Sequence, residues 1–191
     1  YIINLVLFIP MLTTGQVNRF IYKDTWSYRY WSSTDKLKYS DFIGRIDSTI
    51  DMSSYLSAGI RMYIDTITDD YEQFEIIAQM DKYSSWENPK DTNRIDLNCE
   101  QDLFDIMEIN ARRFRKALLR TLIKKDDTME IYLSNKAQAM CEKDWNYYTR
   151  TISNYYVDRE EQTKYEVKIQ QELDSLDEYK NPIVKIIYSH K

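Results

Sequence analysis

Residues 40–82 read SDFIGRIDSTIDMSSYLSAGIRMYIDTITDDYEQFEIIAQMDK, and their apolar pattern decides the expected fold. Apolar side chains such as Ile60 and Ile64 recur mainly three and four residues apart, as they do on one face of an α-helix. A glycine inside a helix costs about 1 kcal/mol relative to alanine, so a bend is expected near Gly59. The spacing predicts a long helix over residues 40–82 that ends before the turn-rich segment around Pro89.

Three further helices are predicted downstream, over residues 98–125, 128–157 and 158–180. Their apolar residues also recur at helical spacing, and Asp158 is a candidate N-cap for the last of them. Helices this long and amphipathic are stable when their apolar faces pack together. The sequence therefore predicts an all-α fold, a bundle of three or four long amphipathic helices or an extended helical hairpin, with residues 16–191 as a single helical domain.

An aromatic segment precedes the expected bundle, in which Trp26, Tyr28 and Tyr30 alternate with Ser27, Arg29 and Trp31. Alternation with a period of two predicts an extended segment or short strand. Packing or a protein interface formed by Trp26, Tyr28, Tyr30 and Trp31 is the favoured interpretation, and a platform that stacks a sugar or base is the alternative. The tail PIVKIIYSHK predicts a short strand that pairs with this segment.

The composition excludes most common catalytic sites. The chain has three glycines, the last of them Gly59, so glycine-rich phosphate loops are excluded after that residue. Its one histidine is His190, near the end of the given sequence, which leaves Ser/His/Asp triads and multi-histidine zinc sites without a plausible member. The sequence therefore predicts a protein that is not an enzyme and uses neither a cofactor nor a metal.

Charge and the first residues bear on partners and location. The net charge of −5 disfavours a nucleic-acid partner. Residues 1–15 contain an apolar run that is too short to cross a bilayer, so no transmembrane helix is predicted. The run has the length of a secretory signal peptide's core, and the alternative is an ordered N-terminal arm. A secreted protein is thus expected, or else a mitochondrial, membrane-associated one in which residues 1–12 contact a membrane or a membrane complex.

Two cysteines, Cys99 and Cys141, fit either location. In a secreted protein a disulfide between them would close a loop worth about 4 kcal/mol in chain entropy. In a reducing compartment two buried free thiols are expected instead. The sequence leaves both alternatives open.

Basic residues form a ridge on the second predicted helix. Arg112, Lys116, Arg120 and Lys124 lie four residues apart, and Arg113 lies beside them. Side chains at this spacing share one helix face. The favoured interpretation is a solvated face that pairs with acidic residues elsewhere in the bundle. The alternative is a site for an acidic partner protein, a polyanion or an anionic membrane surface.

The stretches LFDIMEIN (103–110) and ISNYYVDREEQTKYEVKIQQELDSL (152–176) resemble the long-helix part of peripheral-stalk subunit b of mitochondrial ATP synthase. The resemblance implies a structural accessory subunit of an organellar membrane complex. From the residues themselves, the leading expectation is a non-enzymatic helical interaction protein, secreted, that binds a partner protein or an anionic surface. A helical carrier of an apolar ligand is a further alternative.

Overall fold

The computed structural model describes residues 24–47, 49, 53–67, 71–90, 94–119, 129–152 and 158–187. These residues form three α-helices and six strands in two antiparallel sheets, with 52% of them helical and 22% in strands. The fold is therefore mixed α and β, and the predicted all-α bundle is wrong. The leader or arm predicted over residues 1–15 lies outside the described residues.

The strands follow one another in the first half of the chain, except for the last. In chain order they are β1 (Tyr28–Tyr30), β2 (Ser54–Tyr55), β3 (Ala58–Ile67), β4 (Tyr71–Asp81), β5 (Trp86–Glu87) and β6 (Ile183–Ile187). Strands β2 and β5 pair as a small separate sheet, and the other four form the main sheet. Strand β4 is its centre, because it pairs with β3 along one edge and with both β1 and β6 along the other.

The two short strands β1 and β6 lie end to end along β4. Strand β1 pairs with residues 79–81 of β4, and β6 pairs with residues 71–75. The tail thus forms a strand, as predicted, but its partner is β4 rather than the aromatic segment. Between the two short strands, the backbone of Ile76 and Ala78 bonds to Pro182 and Trp31, which are the residues flanking β6 and β1.

Helices cover one face of the main sheet. They are α1 (Arg94–Leu119), α2 (Met129–Tyr147), which continues into a π-helical turn (Tyr148–Ile152), and α3 (Arg159–Ser175). Helix α1 contacts β3, β4 and β6 on one side and α2 and α3 on others. Every residue from 99 to 112 except Gln101 is buried. Helix α1 is therefore the central element of the fold. Its buried polar side chains need hydrogen bonds or ion pairs with other groups of the protein.

The helix predicted over residues 40–82 is wrong because β2, β3 and β4 lie in that region and none of its described residues is α-helical. In β4, Phe74, Ile76, Ala78 and Met80 are at most 1% exposed, and they alternate with residues on the other face. That period of two is typical of a strand with one buried face. Gly59, where a bend was expected, lies within β3 opposite Gln79.

The helices predicted after residue 98 are close to those observed. Helix α1 covers most of residues 98–125 but begins earlier, and residues 120–128 lie outside the described part. The helix predicted over 128–157 is α2 with its π-helical turn. In the last helix the Asp158 side chain accepts a hydrogen bond from the Glu161 backbone N–H at 3.1 Å, which confirms Asp158 as the N-cap.

A buried ion network fastens α1 to the sheet. Arg115 is 1% exposed, and its Nη2 lies 3.1 Å from both carboxylate oxygens of Glu108. Its Nε donates to the carbonyl of Ile76 at 3.0 Å, and its Nη1 donates to the carbonyl of Tyr179. Arg115 therefore supplies hydrogen-bond donors at the gap between β1 and β6, where β4 would otherwise have a buried carbonyl without a strand partner.

Candidate interaction surface

The main sheet has a second face, opposite the helices, which we call the open face. Strand register places the following side chains on it: Tyr28 and Tyr30 from β1, Arg61 and Tyr63 from β3, Tyr71, Gln73, Glu75, Ile77 and Gln79 from β4, and Ile183, Lys185 and Ile187 from β6. The four tyrosines are half-buried, whereas Ile183 and Ile187 are 41% and 67% exposed. The open face is thus a mixed surface of tyrosine, isoleucine and charged side chains.

At one end of the open face, tyrosines are joined by hydrogen bonds. The Tyr63 hydroxyl donates to Oε1 of Gln79, which is 3% exposed. Tyr30 and Tyr63 also share a side-chain hydrogen bond, and burial raises the pKa of both phenols above the ordinary value. Both phenols are therefore neutral at physiological pH. This network fixes two aromatic rings at this end of the open face.

At the other end of the open face, two exposed isoleucines and a lysine lie near the Tyr71 ring. The ammonium of Lys185 lies 3.6 Å from the centre of the Tyr71 ring, a close cation–π contact. Ile187 pairs with Tyr71 across the strands, and Ile183 pairs with Glu75. Large exposed isoleucines beside an aromatic ring are a common composition of protein-binding surfaces.

The four aromatic residues predicted to form an interface lie in different parts of the structure. Tyr28 and Tyr30 form β1, which confirms the predicted short strand, and both lie on the open face. Trp26, in the turn before β1, is 79% exposed. Trp31 lies on the helix side, where its Nε1 donates to Asp105 at 2.5 Å and its ring lies 5.3 Å from the Arg112 guanidinium. The contacts of Trp31 are therefore internal.

The predicted basic ridge includes residues that pair inside the protein. Arg112 is 5% exposed, with its Nε 3.0 Å from Glu108 and its Nη1 donating to the Leu173 carbonyl at 2.7 Å. Arg113 forms ion pairs with Asp144 of α2 and Glu172 of α3. These two arginines connect the helices, so their charges are already compensated by carboxylates of the chain itself.

The rest of the ridge is less constrained by the structure. Lys116 is half-buried, and its ammonium lies 5.4 Å from the centre of the Tyr179 ring. Arg120 and Lys124 lie outside the described residues. A role for Lys116, Arg120 and Lys124 in anion binding stays a prediction.

Both cysteines are free and buried in the structure. Cys99 is 0% exposed and Cys141 is 4% exposed. Burial raises the pKa of the Cys141 thiol to about 12, and a hydrogen bond with the backbone of Ile60 opposes that rise. Because the thiolate is the reactive form, Cys141 is expected to be inert in the folded protein.

A thiol assay checks this arrangement. In the protein purified without reductant, we expect a coloured thiol reagent to label neither cysteine within minutes under native conditions and both cysteines in denaturant. A chain with free, buried thiols gives this result because unfolding exposes them. Labelling in denaturant that appears after reduction but not before it would instead demonstrate a disulfide.

Most of the open face was not predicted from the sequence, which gave only Tyr28 and Tyr30 of its side chains as interface residues. Tyr63 and Tyr71 were missed because they lie in the region expected to be helical, and Ile183 and Ile187 because the tail was predicted only as a strand. A usable signal exists in β4, where the polar residues Gln73, Glu75 and Gln79 alternate with apolar ones. That alternation would have placed Tyr71 with Gln73, Glu75 and Gln79 on one face of a strand, but not beside the side chains of other strands.

Other site types find no support in the described structure. In the part of the chain that the structure describes, no group of three or more His, Cys, Asp or Glu side chains is arranged to hold a metal ion. None of the helices in that part is both long enough and apolar enough to span a membrane.

Comparisons with known proteins add no further guidance. No family model matches this chain, and no curated protein or solved structure matches it either. The stretch 103–110 that resembles subunit b lies within α1, and most of 152–176 lies in α3, which packs on α1. The two stretches are therefore parts of one packed helical layer.

Proposed function

We propose that this chain is a non-enzymatic interaction protein that binds a partner protein through the open face of its main sheet. The observation that carries the proposal is the difference between the two faces of the sheet in the described residues: helices pack on one face, whereas the other carries the exposed Ile183 and Ile187 and four half-buried tyrosines. Tyrosine contributes a large contact area at low entropic cost, which suits it to interfaces. The secretory location predicted from residues 1–15 stays part of the proposal.

The polar and charged side chains on the open face support a partner that is itself a protein. Arg61, Glu75 and Lys185 alternate in sign across the neighbouring strands β3, β4 and β6. A surface of this kind forms scattered hydrogen bonds and ion pairs around apolar contacts, which is the usual anatomy of a protein interface. A membrane surface or polyanion would instead favour an excess of one charge.

Site-specific photo-crosslinking tests the proposal. A benzophenone amino acid placed at position 187 on the open face, in the full chain expressed in its source cells, is expected to give a discrete cross-linked species on irradiation. The same probe at position 143, which is exposed on α2, serves as the control and is expected not to give that species. The variant Tyr71→Ala with Ile183→Asp should reduce cross-linking at least tenfold while leaving the circular dichroism spectrum unchanged.

The result also distinguishes the kinds of partner. A species at twice the mass of the chain would identify the partner as a second copy. Equal cross-linking from positions 187 and 143, or cross-linking that survives the double substitution, would show that the open face is not the binding surface.

A further inference from the structure

Asp102 is buried where the three helices meet. It belongs to α1 and is 5% exposed. Its Oδ2 accepts a hydrogen bond from the Tyr148 hydroxyl at 2.5 Å and a longer one from Nε2 of Gln162 at 3.5 Å. Tyr148 belongs to the π-helical turn and Gln162 to α3, and both are buried. One carboxyl group thus joins α1 to the turn after α2 and to α3.

Among the described residues, the groups that face Asp102 do not neutralise a negative charge. Tyr148 and Gln162 are neutral donors, and the charged groups acting on Asp102 are Glu166 of α3 and Asp105 of α1, which are both acidic. Tyr165 of α3, a further titratable group at this junction, has its ring centre 5.8 Å from that of Tyr148, with the two rings tilted by 47°. An ionised Asp102 is therefore a buried anion among like charges, which is an unfavourable arrangement.

Two other buried carboxylates of α1 lie beside cations. Glu108 bonds to the guanidinium groups of Arg112 and Arg115, and Asp105 lies 3.2 Å from the Lys36 ammonium. Those two groups are stabilised as anions by cations of the chain. The contrast indicates that Asp102 is suited to carrying a proton in the closed arrangement of the helices.

We propose that Asp102 is a proton-sensitive latch that holds the π-helical turn and α3 against α1 when protonated and loosens them when ionised. In the protonated form one carboxyl oxygen keeps the proton and the other still accepts from Tyr148. Loss of the proton places a charge in the junction, and that charge is relieved when the junction opens to water. The π-helical turn suits this role because such turns interrupt regular helix packing and often occur at functional positions.

The direction of the pH effect follows from the two states. Burial, with smaller contributions from Glu166 and Asp105, raises the pKa of Asp102 to about 7 in the closed form, whereas an open junction exposes the carboxyl to water and an ordinary acidic pKa. The closed form therefore binds the proton more tightly. The free energy that favours the closed form over the open form falls as pH rises from about 4 towards 7. The opening constant of the junction is expected to increase on the order of 100-fold between pH 5 and pH 8.

Two measurements on the full chain test the latch. Carboxyl carbon NMR of the unmodified protein should show Asp102 titrating near neutral pH, and a midpoint below pH 5 would overturn the proposal. Hydrogen exchange, expressed as protection factors so that the intrinsic pH dependence cancels, should show α3 losing protection from pH 5 to pH 8. The Asp102→Asn variant should keep high protection throughout, because its side chain cannot ionise.

A matched control separates the latch from general charge effects. The Asp177→Asn variant removes an exposed carboxylate that pairs with Lys180 just after α3, and its exchange should follow that of the unmodified protein. The proposal would also be overturned if the Asp102→Asn variant lost protection with rising pH as steeply as the unmodified protein does. If Asp102→Asn does not fold, the NMR titration of the unmodified protein still decides the question.

Discussion

Replacing Arg115 with methionine is expected to lower the free energy of unfolding by about 3–5 kcal/mol, since it removes one partner of a buried ion pair. Glu108 would keep Arg112 but lose the bidentate contact with Arg115, and the carbonyl of Ile76 would lose its donor. Methionine fills much of the volume of the arginine stem, so the loss comes mainly from unsatisfied polar groups rather than from a cavity.

Urea denaturation followed by circular dichroism at fixed pH measures this effect. The control Lys143→Met makes the same kind of change at an exposed position of α2 and should alter stability by no more than about 0.5 kcal/mol. In the double variant Arg115→Met with Glu108→Gln, the combined loss should be smaller than the sum of the single losses, as expected for residues in contact. An additive result would mean that the two side chains act independently.

The sequence predicted the helices of the second half better than the strands of the first. Residues 58–81 are ambiguous because their isoleucines satisfy two periods at once. Ile60, Ile64 and Phe74 fit helical steps, while Phe74, Ile76, Ala78 and Met80 fit the alternation of a strand. The abundance of β-branched isoleucine and threonine in this region favoured the strand, and the pair Asp69-Asp70 favoured a turn between two strands.

For the candidate site, local pattern was enough to place Tyr28 and Tyr30 on one side of a short strand. Pattern could not place Tyr63, Tyr71 or Ile187 beside them, because the open face is assembled from strands distant in the chain. β1 and β6 are separated by about 150 residues yet share one edge of β4. That pairing depends on tertiary packing rather than on any local signal.

For the basic ridge, the spacing predicted the positions of the residues on the helix but not their ion-pair partners. Four-residue spacing correctly places Arg112 and Lys116 near one another on a helix, but α1 is buried on nearly every side. The partner of each cation then depends on which carboxylate the neighbouring helices bring close. For Arg113 these are Asp144 and Glu172, which are 31 and 59 residues further along the chain. Spacing within one helix carries no information about such pairs.

The second large effect is expected at Phe74, which distinguishes the strand from the helix that its spacing suggested. Phe74 is 0% exposed and belongs to the core between β4 and α1, so Phe74→Ala is expected to lower the free energy of unfolding by about 3–5 kcal/mol. Tyr71→Ala, on the open face of the same strand, removes a ring of similar size outside that core. Its loss should be about 1 kcal/mol or less, including the contact with Lys185.

The comparison is informative because a helix would place these two residues on the same face. Positions three apart are neighbours on a helix, whereas in a strand they point to opposite faces. Equal losses for Phe74→Ala and Tyr71→Ala, measured by urea denaturation under the same conditions, would therefore contradict the strand. Unequal losses of the expected size would show that Phe74 is buried in the core while Tyr71 is not, as a strand with one buried face requires.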